Sequence, residues 1–184
     1  MQISLDGFVT AEKGGTNFNW DDEVRKFSIA NTENVDCILL GRKTAEDFIP
    51  HWASVAANPS DADFPFGKIL TEIPKLVFSK TLINSEWANT TMSRGEIVEE
   101  INQLKKQKGK DIMVYGGAGF ASSLIKHRLI DEYHLLLNPV AIGSGLPIFN
   151  DLENNLMLTP VKSKQFSCGT IMLCYKPEDG RRQS

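Results

Sequence analysis

Three short segments of this chain set glycine or hydroxyl residues at the end of an apolar run, where a strand would hand over to a turn or helix. The first is Ile112-Met113-Val114-Tyr115 followed by Gly116-Gly117-Ala118-Gly119 and then Phe120-Ala121-Ser122-Ser123. Glycines there let the backbone approach a ligand closely, and a helix start offers N–H groups to an anion. A phosphate or pyrophosphate is the natural guest. The plainer alternative, a tight strand-to-helix turn, needs fewer than three glycines in four residues. The second segment is Gly41-Arg42-Lys43-Thr44, directly after Asp36-Cys37-Ile38-Leu39-Leu40. Arg42 and Lys43 add positive charge to a helix N-terminus, which suits phosphate, although a solvent-facing first turn would look the same. The third is Ser79-Lys80-Thr81 after Lys75-Leu76-Val77-Phe78.

Two familiar phosphate motifs are excluded by spacing. Gly117-x-Gly119-x-x-Ser122 lacks the acidic residue about 20 positions on that a dinucleotide fingerprint needs, because Leu137 stands there. A P-loop would need glycine where Ile38 and Arg42 sit. His51, His127 and His134 are scattered without metal-type spacing, so no metal site is expected. Gly143-Ser144-Gly145 is not a nucleophile elbow. Asp21-Asp22-Glu23 opens a helical pattern; capping explains it, and Asp22 or Glu23 could also serve proton transfer.

The elements that must hold these segments alternate between β-like and helical patterns, which places the chain in the α/β class. Strands are expected over 36–40, 75–79, 111–115, 132–138, 158–165 and 170–175, the last two forming an antiparallel hairpin around Ser167-Cys168-Gly169. The spacing of Ile97, Val98, Ile101 and Leu104 predicts a helix over 96–108, acidic at its start and basic at its end. Another helix should open at Asp21-Asp22 and turn Val24, Phe27 and Ile29 inward, and two more should follow Gly41 and Gly117. With Pro50, Pro59 and Pro65, residues 49–72 read as a long irregular loop, a lid or partner-facing segment. Residues 177–184 read as a disordered tail.

The chain has 184 residues, 20 Lys+Arg and 23 Asp+Glu, for a net charge of −3. That length predicts one domain, 1–176, able to bury a core without disulfide or metal. The acidic balance argues against a broad nucleic-acid surface. No apolar stretch approaches the ~20 residues of a membrane span, and the first residues lack signal-peptide character. Three widely spaced cysteines read as free thiols, with Cys37 and Cys174 buried, so the expected compartment is the cytoplasm.

Five segments, in this order, resemble the dihydrofolate reductase superfamily, and more closely its RibD C-terminal-domain branch. They are Ser4-Leu5-Asp6-Gly7-Phe8, Ile38 to Thr44, Val77 to Thr81, Ile112 to Gly119, and Gly143-Ser144-Gly145-Leu146-Pro147-Ile148-Phe149. The resemblance implies a three-layer dihydrofolate-reductase-like fold, with a mixed, mostly parallel central sheet, an antiparallel C-terminal hairpin and helices on both faces. It implies NADPH as cofactor and hydride transfer to a pterin-like or pyrimidine-like molecule; a nucleotide-binding module without turnover is the alternative. By the branch's pattern, Gly41, Arg42, Lys43 and Thr44 would hold the 2′-phosphate and pyrophosphate. Ser79, Lys80 and Thr81 would lie by the adenosine phosphate, and Gly116, Gly117, Ala118, Gly119 and Phe120 would cradle the pyrophosphate. Asp6 and Gly7 would lie near the nicotinamide, and one of Asp21, Asp22 and Glu23 would supply the carboxylate that grips the substrate ring. The branch also implies a homodimer through the C-terminal strands and the 143–149 loop. Its first strand carries several more residues than the three ahead of Ser4 here, and the absence of a deaminase domain implies a stand-alone member.

Overall fold

The computed structural model describes residues 1–11, 18–82 and 86–178. They fall into two compact units, one of residues 22–120 and one combining 1–21 with 121–184.

The first unit is built on parallel strands. β3 (Val35–Gly41) pairs with β4 (Lys75–Phe78) on one side and β6 (Asp111–Gly116) on the other, and β4 pairs with β5 (Thr90–Ser93). Ile38, Leu39, Leu40 and Val77 are at most 2% exposed, as expected of strands covered on both faces. Cys37, on the same strand, is half-buried rather than buried. The helices of this unit are α1 (Asp22–Ala30), α2 (Arg42–Ala56), α3 (Phe64–Glu72) and α4 (Ile97–Lys105). α4 follows the expected charge pattern, with Glu99 and Glu100 in its first turn and Lys105 in its last. In α1, Val24 is buried as expected, whereas Phe27 and Ile29 are half-buried and Ser28 takes the inner position by donating to the Val24 carbonyl at 2.8 Å.

The loop expected over 49–72 is mostly helix. α2 runs through Pro50 to Ala56, and α3 begins with Pro65 in its first turn, where proline's fixed φ is favourable. An interior proline costs a helix about 3 kcal/mol. Burial offsets it: Ile49, Val55, Phe66 and Leu70 are all buried, each worth about 1.5–3 kcal/mol, and Trp52 meets Phe66 edge-on at 5.0 Å. Apolar spacing therefore outweighed the proline signal.

The second unit carries the mixed pairing. β1 (Gln2–Ile3) runs parallel to β7 (Tyr133–Leu137), and β10 (Ile171–Pro177) lies antiparallel between β7 and β9 (Leu158–Gln165). The expected hairpin of β9 and β10 is present, and β10 extends to Pro177. The expected tail otherwise falls on 179–184, outside the described residues. β2 (Phe8–Ala11) and β8 (Gly145–Pro147) pair separately and antiparallel. Strand hydrogen bonding among the described residues thus divides among three sheets. β1 falls where the resemblance places a first strand, ahead of Ser4, whereas β2, β5 and β8 escape a sequence reading because they are three or four residues long and lack an apolar run. α5 (Ala118–Lys126) follows β6. No helix among the described residues is long and apolar enough to cross a membrane.

Candidate functional site

In the 22–120 unit, the sheet order β5-β4-β3-β6 and its parallel pairing bring three strand ends side by side. Ser79 follows β4, Arg42 follows β3 and Gly117 follows β6, on strands about 4.8 Å apart. The carboxyl ends of parallel strands are where open α/β sheets place ligands. All the cofactor-type segments singled out above, from Gly41 to Phe120, converge on this edge.

Two helices start there. α2 is capped by Gly41 in an extended conformation without a side-chain hydrogen bond, so its first-turn N–H groups have no side-chain acceptor at the cap. Neither α2 nor α5 has an acidic residue in its first turn, in contrast to α1 and α4. The positive ends of both dipoles are therefore uncompensated by local carboxylates.

Glycine is required where the two turns meet. A Cβ on Gly117 would lie 2.5 Å from Thr44 Oγ1, and one on Gly41 would lie 2.9 Å from the Phe120 Cβ. Gly116 has φ +121°, and the Gly116–Gly117 peptide is cis. A Cβ on Gly119 would meet nothing within 4 Å among the described residues, so the third glycine faces space that they leave open. Phe120 stacks on Phe78 at 5.0 Å and fastens the start of α5 to the end of β4.

The cations and hydroxyls differ in what they are free to do. Lys43, Lys80 and Thr81 are exposed. Ser79 is buried, and its Oγ accepts from the N–H groups of Leu82 (2.8 Å) and Thr81 (3.2 Å), which shapes the turn carrying Lys80. Arg42 Nη1 donates to both carboxylate oxygens of Glu46, one turn on, at 2.8 and 3.0 Å. Ser93, at the end of β5, is 6% exposed, and its Oγ has no hydrogen-bond partner among the described residues. Glu46 and Ser93 lie outside the sequence reading; no motif marks them, and only strand pairing and helix geometry bring them to this edge.

The three carboxylates singled out as catalytic have other engagements. In the 1–21 and 121–184 unit, Asp6 accepts from Ser4 Oγ (2.6 Å), Gly143 N–H (2.7 Å) and Ile142 N–H (3.1 Å). The Ser4 hydroxyl first, then the Gly143 amide, hold its carboxyl below the usual range, so it is ionised at neutral pH and anchors the 142–143 loop. Gly7 beside it has φ +89°, a left-handed conformation that makes the turn depend on glycine. In the other unit, Asp22 pairs with Arg25, which also grips Asp63 ahead of α3. Glu23 is exposed in the first turn of α1.

Comparison with known proteins gives a consistent result. The family model of the RibD C-terminal domain matches residues 1–172. The uncharacterized protein YyaP of Bacillus subtilis is 32% identical over 178 residues, covering 95% of this chain and 91% of its own. Among solved structures, a riboflavin-biosynthesis-like protein from Shewanella sp. PV-4 superposes with a TM-score of 0.78 at 22% identity, over 97% of both chains. A diaminohydroxyphosphoribosylaminopyrimidine deaminase/5-amino-6-(5-phosphoribosylamino)uracil reductase from Thermotoga maritima gives 0.66 at 17%, over 96% of this chain and 54% of that one. Dihydrofolate reductase from Enterococcus faecalis, complexed with NADP(H), gives 0.58 at 16%, over 97% and 94%. The last three establish the fold as dihydrofolate-reductase-like.

Proposed function

This chain belongs to the RibD C-terminal domain family, and from that premise we propose that it is an NADPH-dependent reductase acting on a pyrimidine-like or pterin-like small molecule. The family match across 1–172 supports reading 1–176 as one functional domain, at work in the cytoplasm. The observation that carries the proposal is the meeting of two helix starts without first-turn acids at adjacent strand ends, packed so closely that Gly41 and Gly117 admit no side chain.

The residues present fit a phosphorylated dinucleotide. Open space at Gly119, the uncapped start of α2 and exposed Lys43 and Lys80 suit a pyrophosphate and a further phosphate. Thr44, Thr81, the Gly116–Ala118 backbone and the orphaned Ser93 hydroxyl add polar partners. NADPH, when bound, supplies the hydride. The chain's own part is orientation: Arg42 and Lys43 hold the 2′-phosphate, the two helix starts hold the pyrophosphate, and Phe120 with Phe78 walls the turn. Asp6 acts as a positioning residue through the 142–143 loop. The acidic start of α1, Asp22 and Glu23, is assigned the proton that must accompany hydride transfer.

Separate titrations with NADPH and NADH test the cofactor site. NADPH is expected to bind at least tenfold more tightly, and Arg42→Ala should remove most of that difference, because a charge-assisted contact is worth about 1.5–3 kcal/mol. Equal weakening of both cofactors would contradict the role given to Arg42. Turnover is tested by oxidation of bound NADPH against a panel of pyrimidine and pterin substrates. The engagement of Asp6 and Asp22 in structural contacts favours one second reading, a nucleotide-binding module without turnover. Tight NADPH binding with no hydride transfer to any pyrimidine or pterin would establish it.

A further inference from the structure

Outside the strand-end site, three metal-ligating side chains meet on the sheet of the 1–21 and 121–184 unit. Cys174 and His134 are cross-strand partners on β10 and β7, and Glu132 precedes His134 by two residues, on the same face. A ring nitrogen of His134, the Cys174 thiol and a carboxylate oxygen of Glu132 lie within 4.8 Å of one another. Glu132 Oε1 is the centre of the group. It accepts from Cys174 Sγ at 3.3 Å and is hydrogen-bonded to His134 Nε2, while Lys176 Nζ holds the other oxygen at 3.2 Å. The second imidazole nitrogen, Nδ1, is buried and has no hydrogen-bond partner among the described residues.

The arrangement is wrong for a nucleophile. The carboxylate stands between the thiol and the ring, so the imidazole cannot take the thiol proton, and Cys174 is only 1% exposed. It suits a cation instead. We propose that Glu132, His134 and Cys174 form a site for a zinc-class divalent ion that cross-links β7 to β10.

Sulfur, nitrogen and one oxygen form a borderline-soft donor set, which zinc and cobalt accept and magnesium and calcium do not. Tetrahedral zinc needs donor–donor separations of roughly 3.3–3.6 Å, so a movement of about 1 Å closes the site from its present spacing. Binding replaces hydrogen bonds with metal bonds. The Cys174 S–H bond breaks, its proton leaves to solvent, and the sulfur–metal bond forms. The His134 Nε2–H bond likewise breaks, leaving the neutral ring protonated at Nδ1 as the nitrogen–metal bond forms, while Glu132 Oε1 turns from accepting both to ligating. Lys176 keeps the second oxygen, and a water completes the fourth position. His134 and Glu132, with side chains 24% and 35% exposed, are the route by which an ion reaches the buried sulfur.

The test uses the full chain with Cys37→Ala and Cys168→Ala, so that Cys174 is the sole thiol. Cobalt(II) titration near neutral pH is expected to produce a thiolate-to-cobalt charge-transfer band that saturates at about one ion per chain and is erased by zinc. Cys174→Ser should abolish the band, and His134→Ala and Glu132→Gln should each weaken cobalt binding at least tenfold. Zinc should raise the melting temperature of the parent and raise that of His134→Ala clearly less. No band at about tenfold excess cobalt overturns the proposal. So does a band that survives both His134→Ala and Glu132→Gln, since that would report a lone thiol. These two variants alter partly exposed side chains, so they decide between the outcomes even if Cys174→Ser does not fold.

Discussion

At the ends of β3 and β6 the polar groups on offer are backbone N–H groups, presented by two helices whose starts carry no acid. In the Glu132–His134–Cys174 cluster they are side chains, presented by two antiparallel strands in register. The first arrangement draws its positive character from many small dipoles and needs close backbone approach, hence glycine at 41 and 117. The second draws on three particular atoms and needs none. An anion site of this kind is broken by added bulk, whereas a side-chain cluster is broken by removing one donor.

Gly117→Ala is the change of largest expected effect. Its methyl group would collide with the Thr44 hydroxyl, and overpacking of this kind costs about 1–3 kcal/mol. Urea denaturation should register that loss, and NADPH binding should fall with it. Adding Thr44→Ala removes the colliding oxygen and should restore part of the stability; no recovery in the double variant would mean that the contact between the two turns is not what demands glycine.

The pH dependence of stability sharpens the other side. The hydrogen bond from His134 is the main cause that holds the Glu132 carboxyl down, to about 2 from an ordinary 4.5. A depressed carboxyl contributes stability that is complete above pH 4.5 and is lost as pH falls towards 2. Since 35% of the side chain is exposed, the contribution is that of a screened pair, up to about 1 kcal/mol. Glu132→Gln should flatten the stability profile over this window, lowering stability near neutrality by up to about 1 kcal/mol and leaving it nearly unchanged at the acid end. Burial, reinforced by Glu132, raises the Cys174 thiol to about 11, so its stabilising effect is present below about pH 9 and fades as pH approaches 11. In Cys174→Ser that alkaline decline should be absent.

The smallest effect is expected at Glu46. Its carboxylate competes with any phosphate for the Arg42 guanidinium, and an exposed pair one helical turn apart is worth about 0.3–0.5 kcal/mol. Glu46→Gln should therefore tighten NADPH roughly twofold at low salt and leave NADH unchanged. A variant that tightens both alike would place Arg42 away from the phosphate that distinguishes them.

The two sites also differ in how far they can be read from the chain. Gly41 to Thr44 and Gly116 to Phe120 are contiguous, each a strand end, turn and helix start within a few residues, and local chemistry marks them. The spacing of the three histidines, by contrast, argued against any metal ligand set, because Glu132 and Cys174 are 42 residues apart and only the β7–β10 register joins them. Pro50 misled in the opposite direction: it signals a break, yet α2 continues because Ile49, Val55 and their neighbours gain more from burial than the missing hydrogen bond loses. Asp6 was legible as a special position, but its partners, the amides of Ile142 and Gly143, lie more than 130 residues on.

The sequence by itself determined the α/β class, the strand and helix patterns around the glycines, and the positive residues Arg42, Lys43 and Lys80, because these depend on interactions within a few residues along the chain. Tertiary structure alone decided that three strand ends share one edge, that Asp6 holds a distant loop, and that Glu132, His134 and Cys174 meet. Those outcomes depend on sheet order and register, which long-range burial selects and no local spacing records.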